Sequence, residues 1–293
     1  MKDKRYFGIL CAILAAAFYS LNSPLSKVLL NHVPATMMAG LLYIGAGAGL
    51  LCVNLAQKVT GRAPQEQRLS RKELPYTIGM IVLDIAAPIC LMIGLSQSTA
   101  ANASLLNNFE IVATSLIALL IFHERISPRL WLGIALVTLS SAILSVEDAS
   151  SFTFSTGSLF VLLACLCWGM ENNCTRMMSS KNPTEIVVIK GFFSGAGSIL
   201  IALLCGEAFP DALSIAGALL LGFVAYGLSI LFYIYAQRFL GAARTSAYYA
   251  IAPFLGVALS FAIFRTPPTA SFVIALLIML AGTIAVTRDS MES

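Results

Sequence analysis

Three carboxylates and one lysine stand where their neighbours in the sequence are apolar. Asp84 lies in "IVLDIAAPICL", Glu110 in "NNFEIVATSLIALLIF" and Glu171 in "CWGMENNCTR", and Lys190 follows in "EIVVIKGFF". A charged group away from water is costly unless it is paired, hydrogen-bonded or neutralised by a proton. We therefore expect these side chains to face the interior of the fold, where they pair or open onto a shared cavity.

Helical spacing places an aromatic ring beside Glu171 and beside a related polar residue earlier in the chain. Positions three and four apart share one face of a helix. The two predicted faces are Trp168, Glu171, Asn172 and Thr175, and Tyr19, Asn22, Ser23 and Ser26. A carboxylate next to an aromatic ring suits an amine, because both attract a cation. Aromatic rings near helix ends also anchor helices at a membrane interface, so both interpretations stay open.

Lys190 is predicted to reach the same level as Glu171. The two stretches that carry them are joined by the short turn "SSKNP", so they would run antiparallel with these residues at similar depth. An ion pair between Lys190 and Glu171 is therefore expected. Such a pair would either lock two neighbouring helices together or take part in binding a substrate.

The elements that position these residues are predicted to be membrane-spanning helices. Of the 293 residues, 58% are hydrophobic and 11% charged, and the mean hydropathy is +0.87, whereas soluble domains carry about 25% charged residues. Apolar stretches near the length of about 20 residues that crosses a bilayer recur along the chain. The ten predicted spans are residues 7–30, 34–57, 75–96, 102–122, 128–146, 157–178, 184–205, 212–235, 242–264 and 268–287.

The distribution of Lys and Arg predicts the orientation. When the gaps between spans are assigned alternately to two sides, the 18 Lys and Arg residues divide into fifteen inner residues, two outer residues (Lys27 and Arg265) and Lys190 within a span. Cytoplasmic loops carry the excess of positive charge. We expect a multi-pass protein of the cell membrane with both termini in the cytoplasm. The net charge of +4 reflects this bias and predicts contact with anionic lipid, not with nucleic acid.

The chain contains a weak internal repeat. A shift of 149 residues superposes "FYSLNSPLSK" on "CWGMENNCTR", so that Tyr19 falls on Trp168 and Asn22 on Glu171. A shift of 142 superposes the stretch beginning at Leu105 on the one beginning at Ala247 and pairs Asn107 with Tyr249. The predicted repeats are residues 1–148 and 149–293. Five spans is an odd number, so the second copy would be inserted inverted, as in many secondary transporters.

Three prolines within predicted spans indicate where helices can open. Pro24, Pro88 and Pro253 each remove a backbone donor and release the carbonyl group four residues earlier. For Pro88 that carbonyl belongs to Asp84, and for Pro253 it belongs to Tyr249. Unwound backbone near the middle of a membrane is where transporters commonly hold cargo.

The layout resembles the drug/metabolite transporter superfamily, EamA type. The resemblance rests on the ten-span duplication, on "FYSLNSP" and "CWGMENN" near the start of each half, and on "FHERIS" and "FRTPPT" after the fourth and ninth spans. It covers nearly the whole chain. It implies a ten-helix transporter that holds its substrate between the halves, and a possible homodimer through the fifth and tenth helices.

Intramembrane acids on such a scaffold predict a secondary active transporter. We expect export of a small organic metabolite (an amino acid, an amine or a cationic drug-like compound) by alternating access, coupled to protons through Glu110 or Glu171. The excess of acidic groups over Lys190 favours a cationic or zwitterionic cargo over a phosphate. The nine predicted substrate-binding residues are Glu110, Glu171, Asp84, Trp168, Asn22, Tyr19, Asn107, Tyr249 and Lys190.

Three other functions compete with this hypothesis. An uncoupled facilitator or exchanger on the same scaffold would use the acids for binding alone. An intramembrane enzyme is disfavoured, because no nucleophile has a positioned base and the seven cysteines and two histidines match no metal-binding pattern. A structural or receptor-like protein would have its acids fully paired and no central cavity. We expect neither an enzyme nor a bound cofactor or metal.

Overall fold

The computed structural model describes residues 2–60, 66–122, 127–148, 153–240, 245 and 248–292. The first half of the chain is helical. Its helices are α1 (Lys2–Ser20), α2 (Asn22–Leu29), α3 (Ala35–Val59), α4 (Leu74–Ser96), α5 (Ala100–Leu106), α6 (Phe109–Phe122) and α7 (Pro128–Ser145). One turn of 3-10 helix, Arg71–Glu73, leads into α4.

The second half follows a short pair of strands. Strands β1 (Val146–Asp148) and β2 (Thr153–Phe154) pair antiparallel between the two helical regions. The helices that follow are α8 (Thr156–Met178), α9 (Pro183–Leu204), α10 (Ala212–Leu221), α11 (Ser229–Leu240), α12 (Ala252–Phe264) and α13 (Ala270–Glu292). A π-helical segment, Gly222–Leu228, joins α10 to α11 without a break.

Among the described residues, six helical segments are long and apolar enough to cross a membrane. They are Tyr6–Leu29, Ala35–Val59, Arg71–Ser96, Ala100–Ile121, Pro183–Leu204 and Ala212–Leu240. Three shorter apolar helices lie within α7, α12 and α13, and α8 coincides with the predicted sixth span. Each of the ten predicted segments thus overlaps a described helix, and residues 242–244 and 246–247 of the predicted ninth span lie outside the described residues. The crossing of the membrane by all ten, and the inverted relation of the halves, stay predictions.

The fourth and ninth predicted spans are each interrupted, the fourth next to Glu110 and the ninth next to Tyr249. The fourth is divided at Asn107 and Asn108, between α5 and α6, and the backbone ahead of α12 turns at Ala250 and Ile251. The shift of 142 brings these two breaks to within one residue of each other. Pro253 lies in the first turn of α12, where its missing N–H costs nothing.

Pro88 does not open the third span as its position predicts. Helix α4 runs through it from Leu74 to Ser96. The helix is held on two sides, because it packs along α8 and also against α9. Neighbouring helices often keep a proline-containing span intact in this way.

Glycines allow α3 to approach its neighbours closely. A methyl group placed on Gly191 would lie 2.4 Å from the backbone nitrogen of Gly47, and one on Gly45 would lie 2.1 Å from the carbonyl oxygen of Leu219. The stretches "GAGAG" and "GFFSGAG" are therefore packing surfaces of α3 and α9. Contact through small residues substitutes for the hydrophobic effect, which is absent between helices in lipid.

Helix pairing is unchanged when each predicted span is exchanged with the span five places later. Span two packs on span seven, span four on span nine, and span five on span ten. The packing of span three on span six has its counterpart in the packing of span eight on span one. A duplicated chain whose halves occupy equivalent positions has this pattern. The central surfaces of both halves consequently meet along the middle of the molecule.

Candidate functional site

A cavity lies where α1, α3, α6, α8, α9, α11 and the π-helical segment converge. Its space for the centres of water molecules is about 60 Å³, and about 10 to 15 Å³ is enough for one water. Aromatic and charged side chains line it. The lining residues are Tyr19, Tyr43, Glu110, Trp168, Glu171, Asn172, Thr175, Lys190, Tyr226, Ser229, Ile230, Tyr233, Ile234 and Tyr249.

Lys190 joins two carboxylates on one side of the cavity. Its Nζ atom lies 3.0 Å from Oδ2 of Asp84 and 3.0 Å from Oε1 of Glu171. Tyr43 donates its hydroxyl proton to Oδ1 of Asp84 at 2.7 Å, and Thr175 donates to Glu171. The side chains of these three charged residues are at most 5% exposed. Asp84, Lys190 and Glu171 therefore form a buried charge triad that is hydrogen-bonded at both ends.

Glu110 lies on the cavity apart from this triad. Its carboxylate accepts a hydrogen bond of 2.6 Å from Nδ2 of Asn172, and the residue is partly exposed. The break at Asn107 and Asn108 places Glu110 in the first turn of α6, where the N–H groups of a helix favour negative charge. Among the described residues, no Lys or Arg forms an ion pair with Glu110.

Aromatic rings cover the cavity around Glu110. Tyr19 contacts Trp168, Tyr226 and Tyr249, with ring centroids 6.3, 6.1 and 5.8 Å apart. Tyr249 in turn packs edge-to-face on Tyr233 at 4.9 Å. Rings contributed by both halves of the chain thus surround the space that the carboxylate faces, an arrangement that attracts cations.

Six of the nine predicted site residues line this cavity. They are Tyr19, Glu110, Trp168, Glu171, Lys190 and Tyr249. The expected ion pair between Lys190 and Glu171 is confirmed. Lys190 also pairs with a second acid, Asp84. The hairpin between α8 and α9 did not predict this contact, because Asp84 lies far away in the sequence, on α4.

The other three predicted residues lie behind the cavity wall. Asp84 is fully buried and contacts the cavity-lining side chains of Lys190 and Tyr43. Asn22 is also buried and donates from Nδ2 to the Tyr226 hydroxyl at 3.2 Å. The Sγ atom of Cys165 lies 4.0 Å from Oδ1 of Asn107. The chain turns at Asn107, so Glu110 faces the cavity and Asn107 does not.

The sequence reasoning missed three tyrosines of the cavity wall. Tyr43 and Tyr226 lie well inside predicted spans, whereas tyrosine usually anchors a helix at its end. For these two that interior position was the available signal, whereas Tyr233 lies two residues before the predicted end of the eighth span. The π-helical segment that contains Tyr226 has no recognisable sequence pattern, although such segments are frequent at functional sites.

Known proteins similar to this chain are membrane transporters. The pattern of the EamA-like transporter family matches residues 6–146 and 155–288. An uncharacterized transporter of Methanothermobacter thermautotrophicus is 26% identical over 301 aligned residues, covering 95% of this chain and 85% of that protein. The uncharacterized transporter YyaM of Bacillus subtilis is 20% identical over 233 residues, covering 75% of each.

A solved structure shares the fold. It superposes with a TM-score of 0.68 at 19% identity and covers 97% of this chain and 98% of the other. The family pattern accounts for most of the chain, including the helices that carry the carboxylates, the charge triad and the rings. This protein is a multi-pass membrane protein and belongs to the EamA-like transporter family.

Proposed function

We propose that the protein is a secondary active transporter that exports a small organic solute bearing an amine from the cytoplasm. The cargo class comprises amines, amino acids and cationic drug-like compounds. The observation that carries the proposal is the partly exposed carboxylate of Glu110, which faces a central cavity walled by aromatic rings. A carboxylate and a ring face are the two groups that best attract an organic cation.

Alternating access is supported by the equivalent packing of the two halves. Polar contacts connect the halves at both ends of the helices, and these can break and form again. On the predicted inner side, Arg238 donates to Glu66 at 2.7 Å. On the predicted outer side, Glu207 accepts hydrogen bonds from the first turn of α3. Opening one set while the other holds would expose the cavity to one side at a time.

Proton coupling is proposed to operate by competition at one carboxylate. Glu110 can hold a proton or pair with a cationic solute, but the two neutralise the same charge. Proton entry would therefore favour release of the solute, and solute entry would favour release of the proton. When the proton gradient is directed into the cell, this competition drives export of the solute. Both termini of the chain lie in the cytoplasm in this proposal.

An uncoupled facilitator or exchanger is the second candidate, and one contact favours it. Asn172 donates a hydrogen bond to the carboxylate of Glu110. This contact stabilises the charged carboxylate and does not require that Glu110 be protonated. In that mechanism Glu110 would bind the solute without titrating. Transport would then be insensitive to a collapsed proton gradient.

Reconstituted liposomes distinguish the two candidates. The measurement is solute counterflow and pH-gradient-driven uptake for the wild type, Glu110→Gln and Glu171→Gln. Glu73→Gln, in the 3-10 turn that leads into α4, is the matched control. Because the competition is placed at Glu110, we expect Glu110→Gln to lose gradient-driven uptake by at least about tenfold while the control retains it. A loss in Glu171→Gln alone would place the coupling at Glu171 instead. Unchanged gradient-driven transport in both variants would exclude proton coupling through these residues.

A further inference from the structure

The cavity carries an asymmetric set of charges. Among the described residues that line it, Lys190 is the sole basic side chain, whereas Glu110 and Glu171 are both acidic. A zwitterionic amino acid needs a cationic partner for its own carboxylate. The question of cargo class therefore reduces to whether Lys190 is available to a solute.

Lys190 is already engaged on two sides. Carboxylate oxygens of Asp84 and Glu171 each lie 3.0 Å from its Nζ atom, and Lys190 itself is 4% exposed. Tyr43 and Thr175 hold the two acids in place. A solute carboxylate could reach Lys190 only by displacing one of these acids, which would leave that acid buried without its partner. Such uncompensated charge is strongly unfavourable.

Glu110 differs from the triad acids in each of these respects. It is partly exposed on the cavity, it has the Asn172 amide as its hydrogen-bond partner, and the rings of Tyr19 and Tyr249 lie close by. The cavity therefore offers one uncompensated carboxylate and no uncompensated cation among its described lining residues.

We infer that the cavity selects organic monocations and rejects solutes that carry a carboxylate, including zwitterionic amino acids. This inference rests on the proposed transport function and narrows its substrate class. The ammonium group binds Glu110 among the aromatic rings. The triad repels a solute carboxylate because its own two acids outnumber Lys190.

Binding to purified protein tests the inference with related probes that differ in whether they carry an ammonium group, a carboxylate group or both. One set is 2-phenylethylamine, phenylalanine and 3-phenylpropionate, and a smaller set is ethylamine, alanine and propionate. Isothermal titration at neutral pH measures each dissociation constant. We expect the amine to bind at least about tenfold more tightly than the amino acid and the acid in at least one set. Equal or tighter binding of the amino acid, or no amine binding in either set, would overturn the inference.

Variants test the two halves of the argument separately. Glu110→Gln should weaken amine binding at least tenfold. Asp84→Asn releases one of the two partners of Lys190, so the ratio of phenylalanine to phenylethylamine affinity should rise at least tenfold. Glu171→Gln is the second variant for the same purpose should Asp84→Asn not fold, and Glu73→Gln should leave the ratio unchanged. An unchanged ratio in the folded triad variants would contradict the role given to Lys190.

Transport assays separate this inference from the proposed function. If the protein transports phenylalanine across the liposome membrane at the same rate as phenylethylamine, the inferred restriction to monocations is wrong. The proposal that the protein is a transporter would still hold. If no amine or amino acid moves and none binds, both fail together.

Discussion

Replacing Lys190 by methionine tests whether the buried charge triad is one electrostatic unit. Methionine retains much of the length of the side chain but leaves Asp84 and Glu171, both nearly inaccessible, without their shared cation. Removing one partner of a buried ion pair typically costs about 3 to 5 kcal/mol. Because two acids lose their partner here, we expect the upper part of that range.

Thermal unfolding in detergent measures the effect. A loss of this size corresponds to a decrease in Tm on the order of 10 °C. Lys181→Met is the matched control, because Lys181 pairs with Glu73 at 3.6 Å and both side chains retain contact with water. Exposed pairs contribute about 0 to 1 kcal/mol, so the control should change Tm by only a few degrees.

A further variant identifies the cause of the loss. Combining Lys190→Met with Asp84→Asn and Glu171→Gln should restore most of the stability, since no charge then stays uncompensated. A Lys190→Met variant no less stable than Lys181→Met would refute the view that the triad is an electrostatic unit.

Three other changes probe the surrounding scaffold by thermal unfolding. Gly191→Ala, whose methyl group would meet the backbone of α3 at 2.4 Å, should lose about 1 to 3 kcal/mol, whereas Gly217→Ala, with its nearest contact at 3.3 Å, should be neutral or slightly stabilising. Glu207→Ala removes the acceptor for two N–H groups of α3 and should cost about 1 kcal/mol; an unchanged Tm would mean that water replaces it. Hydrogen bonds from Ser214 hold the pKa of Asp211 below its usual range, so the stability it confers on α10 is present at neutral pH and lost as the pH falls through that lowered pKa. Asp211→Ala should therefore lower Tm at neutral pH but not in acid, and a difference that persists in acid would contradict this reasoning.

The helical segments could be predicted because the relevant information is local. Apolar length and charge distribution depend on neighbouring residues, and every predicted span overlaps a described helix. The pairing of Glu171 with Lys190 was predictable for the same reason, since one short turn connects their helices.

Contacts between distant parts of the chain were not predictable in this way. Asp84 joins Lys190 across 106 positions of sequence, and Tyr43, Tyr226 and Tyr233 meet the cavity from different helices. Helix rotation decides which side chain faces the centre, and that rotation depends on packing against several neighbours at once.

The sequence by itself determined the apolar helices, their order and the presence of acids that cannot face lipid. Only the tertiary structure decided that two of these acids share Lys190 while Glu110 faces the aromatic cavity apart from them. The physical reason is that the cost of burying a charge depends on residue type alone, whereas its compensation depends on which groups the folded chain brings within about 3 Å.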